Sequence, residues 1–122
     1  MRYFSFDEFD SPDSPGSGER YMDREFLEML DEARHISGLQ FKINSGYRSQ
    51  SHNRKVKGVS TSSHLVGRAA DIACVHANKR YKIVASLLEV GFTRIGISKS
   101  FIHVDNDDLD HGGLKKDAIW TY

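Results

Sequence analysis

The segment FIHVD (101–105) constrains this chain of 122 residues more than any other stretch. Side chains alternate across a strand, so Ile102 and Val104 share one face while Phe101, His103 and Asp105 share the other. The first set suits a core. The second places an imidazole and a carboxylate on the opposite surface, two positions apart. The run AADIACV (69–75) has the same character, with Ile72 and Cys74 on one face and Asp71 on the other. Two strands therefore each bury an apolar face and can each present a metal-competent group on the side facing away from it.

The remaining pattern surrounds these strands with helices. Phe26, Leu27, Leu30, Ala33 and Ile36 recur at helical spacing and predict a helix over about 23–37, stopped by Gly38. A second helix is predicted from Asn78, as N-cap, to Val90, with Tyr81, Val84, Leu87 and Leu88 on its inner face and Gly91 after it. LQFKIN (39–44) and FTRIGI (92–97) read as further strands, the latter forming a hairpin with 101–105 across Ser-Lys-Ser. A short helix is expected within 48–54. DSPDSPGSGE (10–19) reads as an extended loop. Before it, Tyr3, Phe4, Phe6 and Phe9 look like an aromatic clasp. There are no internal repeats. The expectation is one α+β domain over 1–122, with helices packed on one side of a small antiparallel sheet, an N-terminal loop or clasp over 1–20 and a tail over 106–122.

Composition narrows the function. Seventeen Lys+Arg balance seventeen Asp+Glu. No broad basic field exists to neutralise phosphates, so no nucleic-acid partner is expected. The short cluster Arg54, Lys55 and Lys57 reads as a solvated loop that could steer the chain to an anionic polymer. The single cysteine, Cys74, stands in an apolar run and reads as a buried thiol rather than a nucleophile. No Sec-type signal and no bilayer-spanning stretch is visible, so the chain is expected to be cytoplasmic at synthesis and without a membrane partner. A monomer is expected.

His64 stands in SSHLVGRAAD (62–71), seven residues before Asp71, where Gly67, Ala69 and Ala70 let the backbone bend closely. Two imidazoles and a carboxylate favour zinc over calcium or magnesium, which prefer oxygen shells. Three protein ligands leave a fourth position open, as catalytic zinc sites do. Each residue also has an ordinary reading: His64 as a surface-loop histidine, His103 as a strand histidine with a satisfied ring, Asp71 as a turn or cap residue. Spacing alone does not choose between the two.

Together, SGYRS (45–49), SSHLVGRAAD and FIHVD resemble the zinc D-Ala-D-Ala carboxypeptidase family, which includes VanX dipeptidases and phage endolysins. The family pattern S-x-H-x-x-G-x-A-x-D is met by Ser62, His64, Gly67, Ala69 and Asp71. The resemblance covers about 39–106. It implies a hedgehog/D-Ala-D-Ala peptidase-like fold, Zn2+ held by His64, Asp71 and His103, and cleavage of peptidoglycan stem or cross-bridge peptides. It also places Arg48 over the metal, where a guanidinium can stabilise a developing oxyanion; the ordinary reading is a loop arginine paired to a carboxylate.

The chain departs from the family pattern in one respect. Many members carry a glutamate as general base three residues before the last zinc histidine; that position is Ser100. Others use a histidine two residues before it; that position is Phe101. Asp105 is the substitute catalytic candidate, either as the proton-shuttling base or as a carboxylate orienting a ligand imidazole. His52 is a weaker candidate, and Asp107 would join the same face if the strand continued. His35, His76 and His111 read as surface residues. The expected function is a zinc-dependent peptidase of the cell wall, carboxypeptidase or endopeptidase, of phage-lysin type, released to the wall by other means or carried on a virion. The rival from another class is a non-catalytic wall-binding or virion module that keeps fold and metal, for which the missing glutamate speaks.

Overall fold

The computed structural model describes residues 1–107 and 116–122. His111, read above as a surface histidine, lies outside the described residues. Among the described residues, four helices, α1 (Ser17–Tyr21), α2 (Arg24–Ser37), α3 (Gln50–Lys55) and α4 (Ala77–Glu89), accompany five strands, β1 (Ile43–Ser45), β2 (Ala69–Ala73), β3 (Arg94–Ile97), β4 (Phe101–Asp105) and β5 (Ala118–Thr121). The sheet order is β1-β2-β4-β3-β5. This is the expected α+β class.

The sheet is mixed rather than purely antiparallel. β1, β2, β4 and β3 pair antiparallel in that order, but β5 lies parallel to β3. Residues 118–121 thus add a strand where the sequence suggests only a tail. Four residues are too few for periodicity to declare a strand, and β5 exists because β3 offers it an edge.

α2 forms where its pattern predicts. The Asp23 carboxylate accepts the Phe26 N–H at 2.9 Å, capping the first turn, and Gly38 at φ +68° ends the helix. Phe26, Leu27, Leu30 and Ala33 are fully buried, while Ile36, read as part of the stripe, stays exposed. α4 departs more from expectation. His76 rather than Asn78 occupies the N-cap position, and Ile83, Ser86 and Leu87 face inward. Tyr81 and Leu88 are exposed. The stripe at 83, 86, 87 and 90 is the one that α2 and the sheet cover, so tertiary packing selected among the helix's apolar faces.

One hydrophobic cluster unites α2 and α4 with Ala70, Ile72, Ile95, Ile102 and Val104 of the sheet. The N-terminal aromatics contribute Phe4 and Phe9 to it, and Phe6 packs against it. Tyr3 instead stacks on His35, and its hydroxyl lies 2.6 Å from His35 Nδ1. The segment is anchored by the Arg2 and Tyr3 backbone N–H groups, which donate to Asp31 at 3.0 Å each. Cys74 is buried with a free thiol.

Candidate metal centre

The register places the polar residues of neighbouring strands side by side. Asp71 of β2 faces His103 of β4, and His103 in turn faces Gly96 of β3. Ala70, Ile72, Ile102 and Val104 occupy the other face and are completely buried. The alternation in FIHVD and AADIA therefore separates chemistry from core across one sheet.

His64 arrives from a short 3-10 turn, Ser63–Val66, that precedes β2. The Ser62 hydroxyl accepts the His64 N–H at 3.3 Å, and Gly67 at φ +71° closes the turn. A side chain on Gly67 would collide with the Tyr21 carbonyl, so the close turn into β2 requires glycine in both conformation and space. His64, Asp71 and His103 are all buried, and their ligand atoms lie within 4.8 Å of one another. His64 Nε2 is 3.3 Å and His103 Nδ1 is 3.0 Å from the same oxygen, Asp71 Oδ1.

The far nitrogen of each ring is fixed by an acceptor. His64 Nδ1 donates to the Gly46 carbonyl at 2.7 Å. A carbonyl can only accept, so the neutral tautomer carries its proton there and leaves Nε2 bare toward Asp71. His103 Nε2 donates to Asp105 Oδ2 at 2.7 Å, which in the neutral ring leaves Nδ1 bare toward Asp71. The chemistry of this donor set fits a zinc-type cation: two imidazole lone pairs and a carboxylate converge, and each imidazole is oriented from behind.

Electrostatics agree. Burial works against the Asp71 carboxylate, but hydrogen bonds and charge from His103 and His64 hold it well below the usual carboxylate range. Asp105 is also lowered, against burial, by His103 and Arg94. Burial opposes the charged form of His103, yet Asp105 and Asp71 together raise its proton affinity.

Arg48 reaches the same carboxylate. Its Nη2 lies 3.4 Å from Asp71 Oδ2, its Nε donates to Ser45 Oγ at 3.1 Å, and its Nη1 donates to Asn53 Oδ1 at 3.3 Å. Its backbone N–H donates to the His64 carbonyl at 3.0 Å, tying SGYRS to SSHLV. Asp105 is 1% exposed and engaged on both oxygens: Oδ1 accepts from Arg94 Nε at 2.7 Å and from the Asp107 N–H at 3.2 Å, Oδ2 from His103. Asp107 lies past the end of β4 and accepts from Ser63 Oγ at 2.6 Å. His52 sits in α3 and lines a separate depression with Asp13. Ser100 precedes β4, and its carbonyl accepts the Cys74 N–H.

The cluster opens into a cleft of about 440 Å³ bounded by Arg48, Lys57, Arg94, Phe101, Trp120 and Tyr122, among others. Asp71 and Asp105 are its only carboxylates among the described residues. Arg94, Trp120 and Tyr122 have no role in the sequence reading. Arg94 could have been suspected from its place in FTRIGI, opposite FIHVD in a hairpin; the two aromatics depend on β5, which that reading lacks.

Comparison with known proteins follows the same line. No curated protein matches the chain. The sequence model of the family described as Peptidase M15 matches residues 4–105, a span that holds Arg48, His64, Asp71, His103 and Asp105. By that match the chain belongs to the Peptidase M15 family, the zinc D-Ala-D-Ala carboxypeptidase and VanX-type peptidases.

Proposed function

We propose that this protein is a zinc metallopeptidase that hydrolyses peptide bonds of bacterial peptidoglycan, as a phage-type cell-wall lysin. The observation that carries the reading is the convergence of the bare nitrogens of His64 and His103 on one oxygen of Asp71, at the floor of an open cleft. His64, Asp71 and His103 would hold the ion. Bound there, zinc supplies Lewis-acid polarisation of a carbonyl and lowers the pKa of water.

The chain's own residues supply the rest. Arg48, pinned by Ser45 and Asn53, directs its guanidinium to the edge of the metal cluster, where it would stabilise negative charge growing on a substrate carbonyl. Of the two roles expected of Asp105, its contacts favour the orienting one. Its Oδ2 holds the His103 proton at Nε2, and Arg94 with the Asp107 N–H occupies the other oxygen. Peptidoglycan as substrate and release to the wall from a phage-infected cell are part of this proposal, and the resemblance of the SSHLVGRAAD and FIHVD motifs to cell-wall peptidases is what suggests them.

The test is digestion of purified sacculi and defined muropeptides by zinc-loaded protein, with products identified by mass spectrometry. New peptide termini should appear, and should vanish on chelation. One observation favours a second reading, a wall-binding module that keeps the metal: Ser100 stands at the usual base position. Stoichiometric zinc with no cleavage of any muropeptide would establish it instead.

A further inference from the structure

β5 lies beyond the span that the family model matches, yet it forms one wall of the cleft. Its register sets Trp120 beside Gly96, on the row that continues through His103 to Asp71. A Cβ at Gly96 would fall 2.6 Å from Trp120 Nε1 and 2.9 Å from a Tyr122 ring carbon. Glycine at 96 is what lets both rings lie across β3 toward the metal cluster. Trp120 then comes to 5.6 Å from the His103 ring, with the Arg94 guanidinium 4.9 Å from its own ring centroid. Tyr122 packs at 5.2 Å on Phe101, and its backbone N–H donates to the Ile97 carbonyl.

The indole edge and the phenol ring crowd the same space over Gly96, so the two side chains flank one another. A protonated phenol has one O–H to donate. Partial desolvation, and then the Asp71 and Asp105 carboxylates, push this phenol above its ordinary value against the pull of the indole. It therefore stays protonated at neutral pH, while the residue as a whole remains exposed to the cleft side.

We infer that Tyr122 is a second hydrogen-bond donor to the substrate's developing oxyanion, complementing Arg48, and that Trp120 is the positioning residue that aims it. The inference rests on the metallopeptidase reading of the site. It makes β5 part of the catalytic apparatus rather than a terminal clasp, and it gives Gly96 a reason: any side chain there would displace both rings.

The test uses the full chain loaded with zinc, and acetohydroxamate, a small metal-binding acyl anion whose oxygens need donors but whose binding needs no knowledge of the cleaved bond. Calorimetry on Tyr122→Phe, which keeps the ring on Phe101, should show about tenfold weaker acetohydroxamate binding with zinc affinity unchanged, the loss of one preorganised donor. Trp120→Phe should lose less, and nothing further when added to Tyr122→Phe, because the indole acts only by flanking the Tyr122 ring. On sacculi, Tyr122→Phe should lower kcat and leave KM in place. Equal acetohydroxamate binding by wild type and Tyr122→Phe would overturn this inference and leave the metallopeptidase reading standing. Failure of the zinc-loaded wild type to bind it at all would overturn both.

Discussion

The two faces of the central sheet are built from the same strands and obey opposite rules. On one face, Ala70, Ile72, Ile95, Ile102 and Val104 are buried against α2 and α4, and their contribution scales with apolar area and fit. On the other, Asp71, His103 and Asp105 are also largely or fully buried, but each is held by charged or polar partners. A buried ionic cluster contributes little net stability once desolvation is counted. The face that holds the molecule together and the face that would do its chemistry are therefore separable by mutation.

The strongest attempt to break that separation is His64→Ala. Activity on sacculi and bound zinc should both fall below detection, as they should on chelation, while the metal-free protein keeps its fold with a midpoint lowered by the cavity and the Gly46 carbonyl left unpaired. A midpoint collapse in the metal-free variant would show that the site face also carries the fold. Next comes Phe26→Ala, on the core side. It should cost about 3–5 kcal/mol in denaturant unfolding, while any protein that remains folded keeps its zinc stoichiometry.

Arg48→Lys probes the site face more finely. A lysine keeps the charge but loses the fork that reaches Ser45, Asn53 and Asp71 together, so kcat should fall by about 10²-fold at constant zinc affinity. Asp105→Asn separates the two roles considered for that residue. An orienting carboxylate predicts zinc affinity weaker by about 10–100-fold in a competition assay against a chromophoric chelator. Unchanged affinity with lost turnover would point to the proton shuttle instead.

The smallest effect belongs to a carboxylate away from both faces. Burial works against the Asp31 charge, but the Arg2 and Tyr3 backbone N–H groups, with the Arg2 side chain, outweigh it and lower its pKa. A lowered folded value means that its stabilisation is present above the unfolded carboxyl's ordinary value of about 3.9 and is lost as pH falls through the folded one. Asp31→Asn should cost about 1 kcal/mol at neutral pH and flatten the acid limb of the stability curve, with activity untouched.

Legibility in the sequence followed the range of the signal. FIHVD was readable to the residue because alternation is a local rule, and the observed β4 has the predicted bounds. α2 was readable because a cap, a stripe and a glycine stop agree. α4 was readable as a helix and in part of its inner face: Leu87 is buried and Val84 packs on the core, but Tyr81 and Leu88 are exposed, since several apolar positions compete and only the neighbours decide which are covered. The antiparallel expectation held for β1, β2, β4 and β3 and missed β5, whose four residues are too few to declare a strand.

The order of residues alone determined which strand side chains share a face, where α2 starts and stops, and that two imidazoles and a carboxylate stand in a peptidase pattern. Only the tertiary structure decided which ring nitrogen each histidine turns to Asp71, that Asp105 spends both oxygens on neighbours, and that β5 brings Trp120 and Tyr122 over Gly96. The physical reason is that periodicity and capping act within a few residues. Hydrogen-bond direction, burial and the filling of a space left by an absent side chain depend on atoms brought together from far apart in the chain.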